Sequence, residues 1–300
     1  MGLARRCGGV PAALKRSCMF SRLLPYALIA PAVTFTAALF LYPFALVAIQ
    51  AFAGADGSWG WMNFKTMAEH WKFFPALKNT LWLAAMVVPL QLCLALAMAQ
   101  MVARMQRGRD LMLYIWTIPL GISDLAAGII WLTIFDQTGF LNTVLMGLGV
   151  IHEPAQFLGY ANTISTLVAV VMAEVWRATA IVLVILVSGL GLIPKEYNEA
   201  AEVFGAGAWQ KFWRVTLPLL RPSLQTALIL RTILAFEVFA VVAVLSGTQF
   251  PVLMGETYEW QFTLQDSSVA AAYAMVVLGI SLLSTLVYLR VLRTPQGVRA

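Results

Sequence analysis

Six stretches of this chain, residues 23–50, 78–102, 111–135, 163–190, 223–245 and 269–289, are apolar over the length a helix needs to cross a lipid bilayer. About 20 apolar residues cover the roughly 30 Å of hydrocarbon. That feature constrains the fold more than any other, and composition closes the alternatives. Only 11% of the 300 residues are charged, against about 25% in a soluble domain, so there is too little charge to keep the surface in water. With 61% apolar and 12% aromatic residues, the chain is also far from the composition of disordered proteins. The expected fold is all-α: a polytopic integral membrane protein with a tail at 1–22 and a six-helix transmembrane domain over 23–300. Basic residues precede the first stretch, as in a secretory signal, but its apolar run exceeds the roughly 7–15 residues of a signal core. No small-residue cleavage site follows at Gln50-Ala51-Phe52, so it is read as a retained span.

The formal net charge of +6 invites a nucleic-acid reading until the charges are placed. Segment 1–22 holds Arg5, Arg6, Lys15, Arg16 and Arg22, and 103–110 holds Arg104, Arg107 and Arg109. Segment 191–222 adds Lys195, Lys211, Arg214 and Arg221, and the C-terminal tail adds Arg290, Arg293 and Arg299. These fifteen fall on one face of the membrane, against Lys65, Lys72 and Lys78 on the other. Lys and Arg concentrate in cytoplasmic loops, which puts both termini in the cytoplasm of a cell (inner or plasma) membrane. The basic balance is a topology signal, and no nucleic-acid partner is expected. Cys7, Cys18 and Cys93 make no CxxC pair and His70 and His152 are far apart, so neither a disulfide framework nor a metal site is expected.

The longest loop on the basic face, 194–222, carries its own pattern. Pro194 suits the start of a helix, and Glu196, Glu199 and Glu202 recur every third residue near its positive end. Lys211 and Arg214 come late, where a second helix dipole favours cations. Gly205 and Gly207 between them permit a turn with positive φ, and Pro218 and Pro222 lead into the fifth span. Two short amphipathic helices meeting at a glycine elbow are expected. Such a segment either lies among lipid headgroups or docks in a groove on a soluble partner. Three glutamates beside an anionic leaflet favour the partner.

Glu199-Ala200-Ala201, Gly205, Val215 and Leu217-Pro218 match, at full spacing and with Val for Ile, the EAA motif. The chain thereby resembles the permease subunits of binding-protein-dependent ABC importers, and in particular the maltose-type carbohydrate branch. Leu24-Pro25-Tyr26, Ala30-Pro31 and Tyr42-Pro43 look like that branch's first span, Lys78-Asn79-Thr80-Leu81 like the opening of its second, and Ala235-Phe236-Glu237-Val238-Phe239 like its fifth. Phe204 and Ala240 stand where relatives commonly have Asp, and Ser246-Gly247-Thr248-Gln249 replaces a Gly-Gly-Pro. The resemblance implies a type I importer permease fold with Glu199 and Gly205 docking on an ATPase. It also implies a second permease subunit in a heterodimer, two ATPase subunits holding ATP and magnesium, and an extracytoplasmic solute-binding protein. The chain itself would then bind no cofactor and catalyse no covalent step. Its own residues agree that power comes from elsewhere: Phe64-Lys65-Thr66 lacks the glycine of a phosphate-binding loop, and no span carries an obvious proton relay.

An ionisable group at the centre of a span costs about 2.5–3.5 kcal/mol on insertion scales, so those present need a reason. Glu174 and Arg177, three apart, share a helix face and either neutralise each other or meet a solute. Arg231 snorkels to the interface or holds a neighbouring helix. Asp124 follows Pro119, Gly121 and Ser123, a run that suggests an interrupted helix. Ser123, Asp124 and Trp131 would suit a neutral polyhydroxy solute, and Glu237 beside Phe236 has a similar claim; each also has a purely structural reading. The rivals are an importer for a phosphorylated polyol such as glycerol 3-phosphate, and a self-contained secondary carrier. Trp59, Trp61, Trp71, Tyr258 and Trp260 in the loops opposite the basic face form either an interfacial belt or a landing surface for the solute-binding protein.

Overall fold

The computed structural model describes residues 25–54, 57–159, 162–247 and 249–292. The 1–22 tail, Leu24, Thr248, Arg293 and Arg299 of the sequence reading lie outside the described residues. Among the described residues the chain is helical throughout, apart from loops and one isolated bridge between Ala53 and Trp59.

Four of the apolar stretches are single helices long enough to span: α1 (Pro25–Phe52), α3 (Phe73–Arg104), α7 (Thr163–Gly191) and α13 (Ser267–Val291). Between the first two lies a short amphipathic helix, α2 (Met62–Glu69). α1 contains one wide turn at Ala37–Leu41 just ahead of Pro43, where the missing N–H of proline leaves a carbonyl without its usual donor.

The third and fifth stretches are broken helices. α4 (Arg109–Thr117) gives way to a tight turn at Ile118–Gly121, and α5 (Asp124–Phe135) restarts behind it. Ser123 is the N-cap of α5: its backbone is extended and its Oγ accepts the N–H of Ala126 at 3.2 Å. The interruption expected from Pro119, Gly121 and Ser123 is thus present. The fifth stretch, expected as one helix, is instead α10 (Arg221–Phe236) and α11 (Ala240–Ser246), parted at Glu237-Val238-Phe239. No proline or glycine lies at that break. Tertiary contacts hold it: Val238 is buried in the core, and the Phe239 ring stacks on Tyr258 with centroids 5.0 Å apart. α6 (Phe140–Gly147) continues the candidate span Asp124–Gly147 after a short turn behind α5, and α12 (Leu253–Tyr258) follows the fifth span.

The loop at 194–222 forms the two expected helices, α8 (Lys195–Val203) and α9 (Ala208–Leu219). Only Gly205 takes a positive φ, +76°; Gly207 is extended and serves as the N-cap of α9. α9 then bends by 69° into α10.

Small residues set the packing. α3 and α7 meet where Ala95 and Ala99 of α3 cluster with Val182, Leu183 and Leu186 of α7, and small residues let two backbones approach as in other membrane bundles. Gly189 of α7 lies so near α10 that an added Cβ would come 2.5 Å from the Ser223 Cβ and 2.9 Å from Leu220 Cδ1. One apolar cluster joins α3, α10 and α13, a second joins α5, α7 and α11, and a third ties α3 and α7 to the start of α10.

Candidate functional site

Four ionisable residues of the spans, Asp124, Glu174, Arg177 and Arg231, form one connected chain. Arg231 and Glu174, each 1% exposed, pair at 2.8 Å between α10 and α7. Gln91 of α3 accepts from Arg231 Nε through its side-chain oxygen and donates to the Glu174 carbonyl at 2.8 Å. Arg177 pairs with Asp124 at 2.8 Å, tying α7 to α5, and stands 3.9 Å from Glu174. The expected local neutralisation of Glu174 by Arg177 is therefore a secondary contact. Glu174 takes its closer partner from another helix, because Arg231 is more deeply buried and has no water to turn to. Arg231 does not snorkel; it holds its neighbours. Two carboxylates and two guanidinium groups cancel, so the chain as a whole is neutral.

The structure brings Asp124 and Glu174 together through Arg177 but does not bring Glu237 or Phe236 to them. Asp124 keeps 47% of its side chain open. Trp131, about two turns further along α5, stacks on Phe135 at 5.6 Å and meets Trp176 edge-on at 6.1 Å; its Nε1 is buried with no hydrogen-bond acceptor. Phe236 is buried in the α3–α10–α13 core. Glu237 caps the end of α10 and is exposed at the break in the fifth span. Beside that break, Phe239, Tyr258 and Phe262 run in sequence with centroids 5.0 and 4.7 Å apart. A cavity of about 280 Å³ opens between the break and α12, lined by Phe239 and Tyr258 with Glu256 and Glu259. Sequence reasoning did not single out this aromatic row as a path, since Phe239 is 19 residues from Tyr258 and meets it only when α12 folds back. Among the described residues no cluster of His, Cys, Asp and Glu has the makings of a metal site.

At the end of the bundle remote from the basic loops, α12 is pinned by charge. Lys72 reaches both Glu259 oxygens at 3.2 Å and lies 3.9 Å from Glu256. Glu256 is 3% exposed, and its Oε2 has no hydrogen-bond donor. His70 Nδ1 stands 3.9 Å from that oxygen. Burial pushes the Glu256 carboxyl up to about 7; Lys72 opposes the shift and Glu259 reinforces it. Burial, then Lys72, hold the His70 imidazole below its ordinary value, against Glu259.

At the basic end, Arg104, Arg109, Lys195 and Lys211 line a cleft of about 900 Å³ between α3, α7 and α8–α9. Past it the α8–α9 elbow projects, closed by a Lys211–Glu202 ion pair. Glu199 and Ala200 are exposed, and Val203 and Phe204 at the tip are bare, at 85% and 88%. Val215, Leu217 and Pro218 are half-buried and root α9 in the bundle. Gly205 sits at the tip with its positive φ, a conformation that strains a β-branched side chain.

Two tests follow from this geometry. Replacing Arg231 with Met leaves Glu174 buried with a cation no nearer than 3.9 Å and should cost about 3–5 kcal/mol. The pair Glu174→Gln/Arg231→Met removes both charges and should recover more than half of that loss in thermal unfolding of the purified protein. For Glu256 the folded value of about 7 exceeds the ordinary 4.5, so its contribution to stability is full below pH 4.5 and is lost as pH rises through 7. Hydrogen exchange of 253–258 should accelerate across that window, and Glu256→Gln should flatten the response.

A family model described as "Binding-protein-dependent transport system inner membrane component" matches residues 91–294. The chain is 30% identical over 289 residues to the sulfoquinovosyl glycerol transport system permease protein SmoG of Agrobacterium fabrum, covering 91% of each. It is 32% identical over 237 residues to the trehalose transport system permease protein SugA of Mycobacterium tuberculosis, covering 76% of this chain and 75% of that one. Its fold matches a chain of a bacterial alginate ABC transporter crystallised with an alginate pentasaccharide-bound periplasmic protein. That match has a TM-score of 0.77 at 22% identity, over 91% of this chain and 96% of that one.

Proposed function

This chain belongs to the family of binding-protein-dependent transport system inner membrane components, the permease subunits of ABC importers, and from that premise we propose that it carries a sugar or polyol inward, driven through the α8–α9 elbow. One observation carries the reading. Glu199-Ala200-Ala201 and Gly205 stand on a rigid, ion-paired elbow whose apolar tip, Val203 and Phe204, is left bare. An exposed apolar tip flanked by acid suits a groove on a soluble protein better than a headgroup layer. The basic end is then cytoplasmic, as the Lys and Arg distribution requires. Each of two ATPase subunits, which hold the ATP and magnesium, takes one elbow: one from this chain, one from a second permease in a heterodimer. A solute-binding protein delivers the cargo at the opposite end, where Trp59, Trp61 and Trp71 are exposed.

The cargo reading rests on chemistry at the two broken spans. Irregular backbone within a membrane is tolerated where it borders protein or water. At one break stands Asp124, half open; at the other, Glu237 beside the Phe239–Tyr258–Phe262 row. Carboxylates accept hydrogen bonds from hydroxyls, and flat rings take the apolar face of a sugar. Two relatives named for sulfoquinovosyl glycerol and trehalose support the same class, whereas others, 27% identical, are named for sn-glycerol-3-phosphate. A phosphorylated cargo would want free cations in the path, and Arg177 and Arg231 are both committed to carboxylates.

Gly205→Val tests the coupling role. Solute uptake by the assembled transporter should fall roughly 5- to 150-fold, the span of a coupling free energy of about 1–3 kcal/mol, while ATP hydrolysis persists and the protein still inserts. Uptake at the wild-type rate would remove the elbow from the mechanism.

A further inference from the structure

On the side of α9 away from the polar cleft, an apolar groove of about 640 Å³ runs between α9 and the last three turns of α3. Cys93, Ala97, Met101 and Arg104 form its α3 wall, and Trp209 and Trp213, packed edge-on at 5.6 Å, roof it. Among the described residues nothing fills it: Met101, Trp209 and Trp213 are 57%, 72% and 50% exposed.

Its dimensions and polarity are those of half a bilayer. Eleven residues separate Cys93 from Arg104, about 16 Å at 1.5 Å per residue, which is close to half of the roughly 30 Å hydrocarbon thickness. The deep end is wholly apolar. The shallow end carries Arg104, which has no carboxylate partner among the described residues, and Gln100, whose Nε2 is buried with no acceptor. A guanidinium and an amide donor at the mouth of an apolar slot complement a phosphate diester with a chain below it. Indole rings at headgroup level complete the match.

We propose that one anionic phospholipid of the leaflet at the basic end occupies this groove, its acyl chain against Ala97 and Met101 and its phosphate on Arg104. The assignment depends on the chain spanning a membrane and is independent of the cargo. Because α9 carries the elbow, the lipid would wedge the coupling element from the membrane side, opposite the 900 Å³ cleft that shares Gln100 and Arg104 with the groove. Ala97→Trp would fill the slot without touching the elbow's tip.

The test is native mass spectrometry of the complete transporter released from bilayers of phosphatidylglycerol and phosphatidylethanolamine. The wild type should retain phosphatidylglycerol in preference to phosphatidylethanolamine. Arg104→Gln should lower that retention about tenfold, Ala97→Trp should abolish it, and Arg107→Gln, outside the groove, should leave it unchanged. If Ala97→Trp fails to assemble, the conservative Arg104→Gln still decides. A wild type that holds no lipid, holds both lipids equally, or keeps phosphatidylglycerol in Arg104→Gln overturns the proposal.

Discussion

A charge inside a bilayer has to be met by another charge, and the rest of this structure is arranged around the place where two deeply buried charges meet, with Glu174 Oε1 and Arg231 Nη1 left without hydrogen-bond partners. Glu174 and Arg231 are almost fully buried and bonded to each other, with Gln91 bonded to both residues. The requirement decides which helices are neighbours. α3, α7 and α10 each supply one member, so none of the three slides without unpairing a buried group. The 3.9 Å contact to Arg177 and its 2.8 Å bond to Asp124 extend the constraint to α5. Small residues complete the body: Ala95 and Ala99 of α3 against α7, and Gly189, whose missing Cβ leaves room for the Ser223 and Leu220 side chains.

The α8–α9 elbow is attached to that body with little slack. α9 turns by 69° straight into α10, and α10 carries Arg231 two to three turns later. A displacement imposed at Gly205 is thus delivered to the helix that holds the buried pair. The breaks in the third and fifth spans lie at the ends of two helices tied into this body, ahead of α5 and after α10. Stiffness in the middle and interruption at the margins is the arrangement that rigid-body rocking around a solute site calls for.

Much of this was legible in the residues. Six apolar stretches and the asymmetry of Lys and Arg specified the bundle, and the spacing from Glu199 to Pro218 specified the elbow. Pro119, Gly121 and Ser123 announced the break in the third span because each acts locally: a missing N–H, a missing Cβ, a capping hydroxyl. The break at Glu237-Val238-Phe239 has no such local cause and depends on α12 folding back to stack Tyr258 on Phe239. Partner choice was hidden for the same reason. Helical spacing puts Arg177 beside Glu174, and only the crossing of α10 reveals that Arg231 is closer. Phe236 resembled an aromatic path residue in the chain but faces the core, since the direction of a helix face is set by its neighbours. Glu256 drew no notice because its burial comes wholly from tertiary packing around Lys72, His70 and Tyr273.

The central claim is that this chain is a path moved by another protein through its elbow. The direct measurement is solute accumulation in proteoliposomes, comparing this chain alone with the complex that includes its partner permease, both ATPases and the solute-binding protein. The account predicts ATP-dependent accumulation of a radiolabelled sugar or polyol by the complex and none by the chain alone, with or without an ion gradient. Accumulation by the chain alone, or by the complex without ATP, would contradict it.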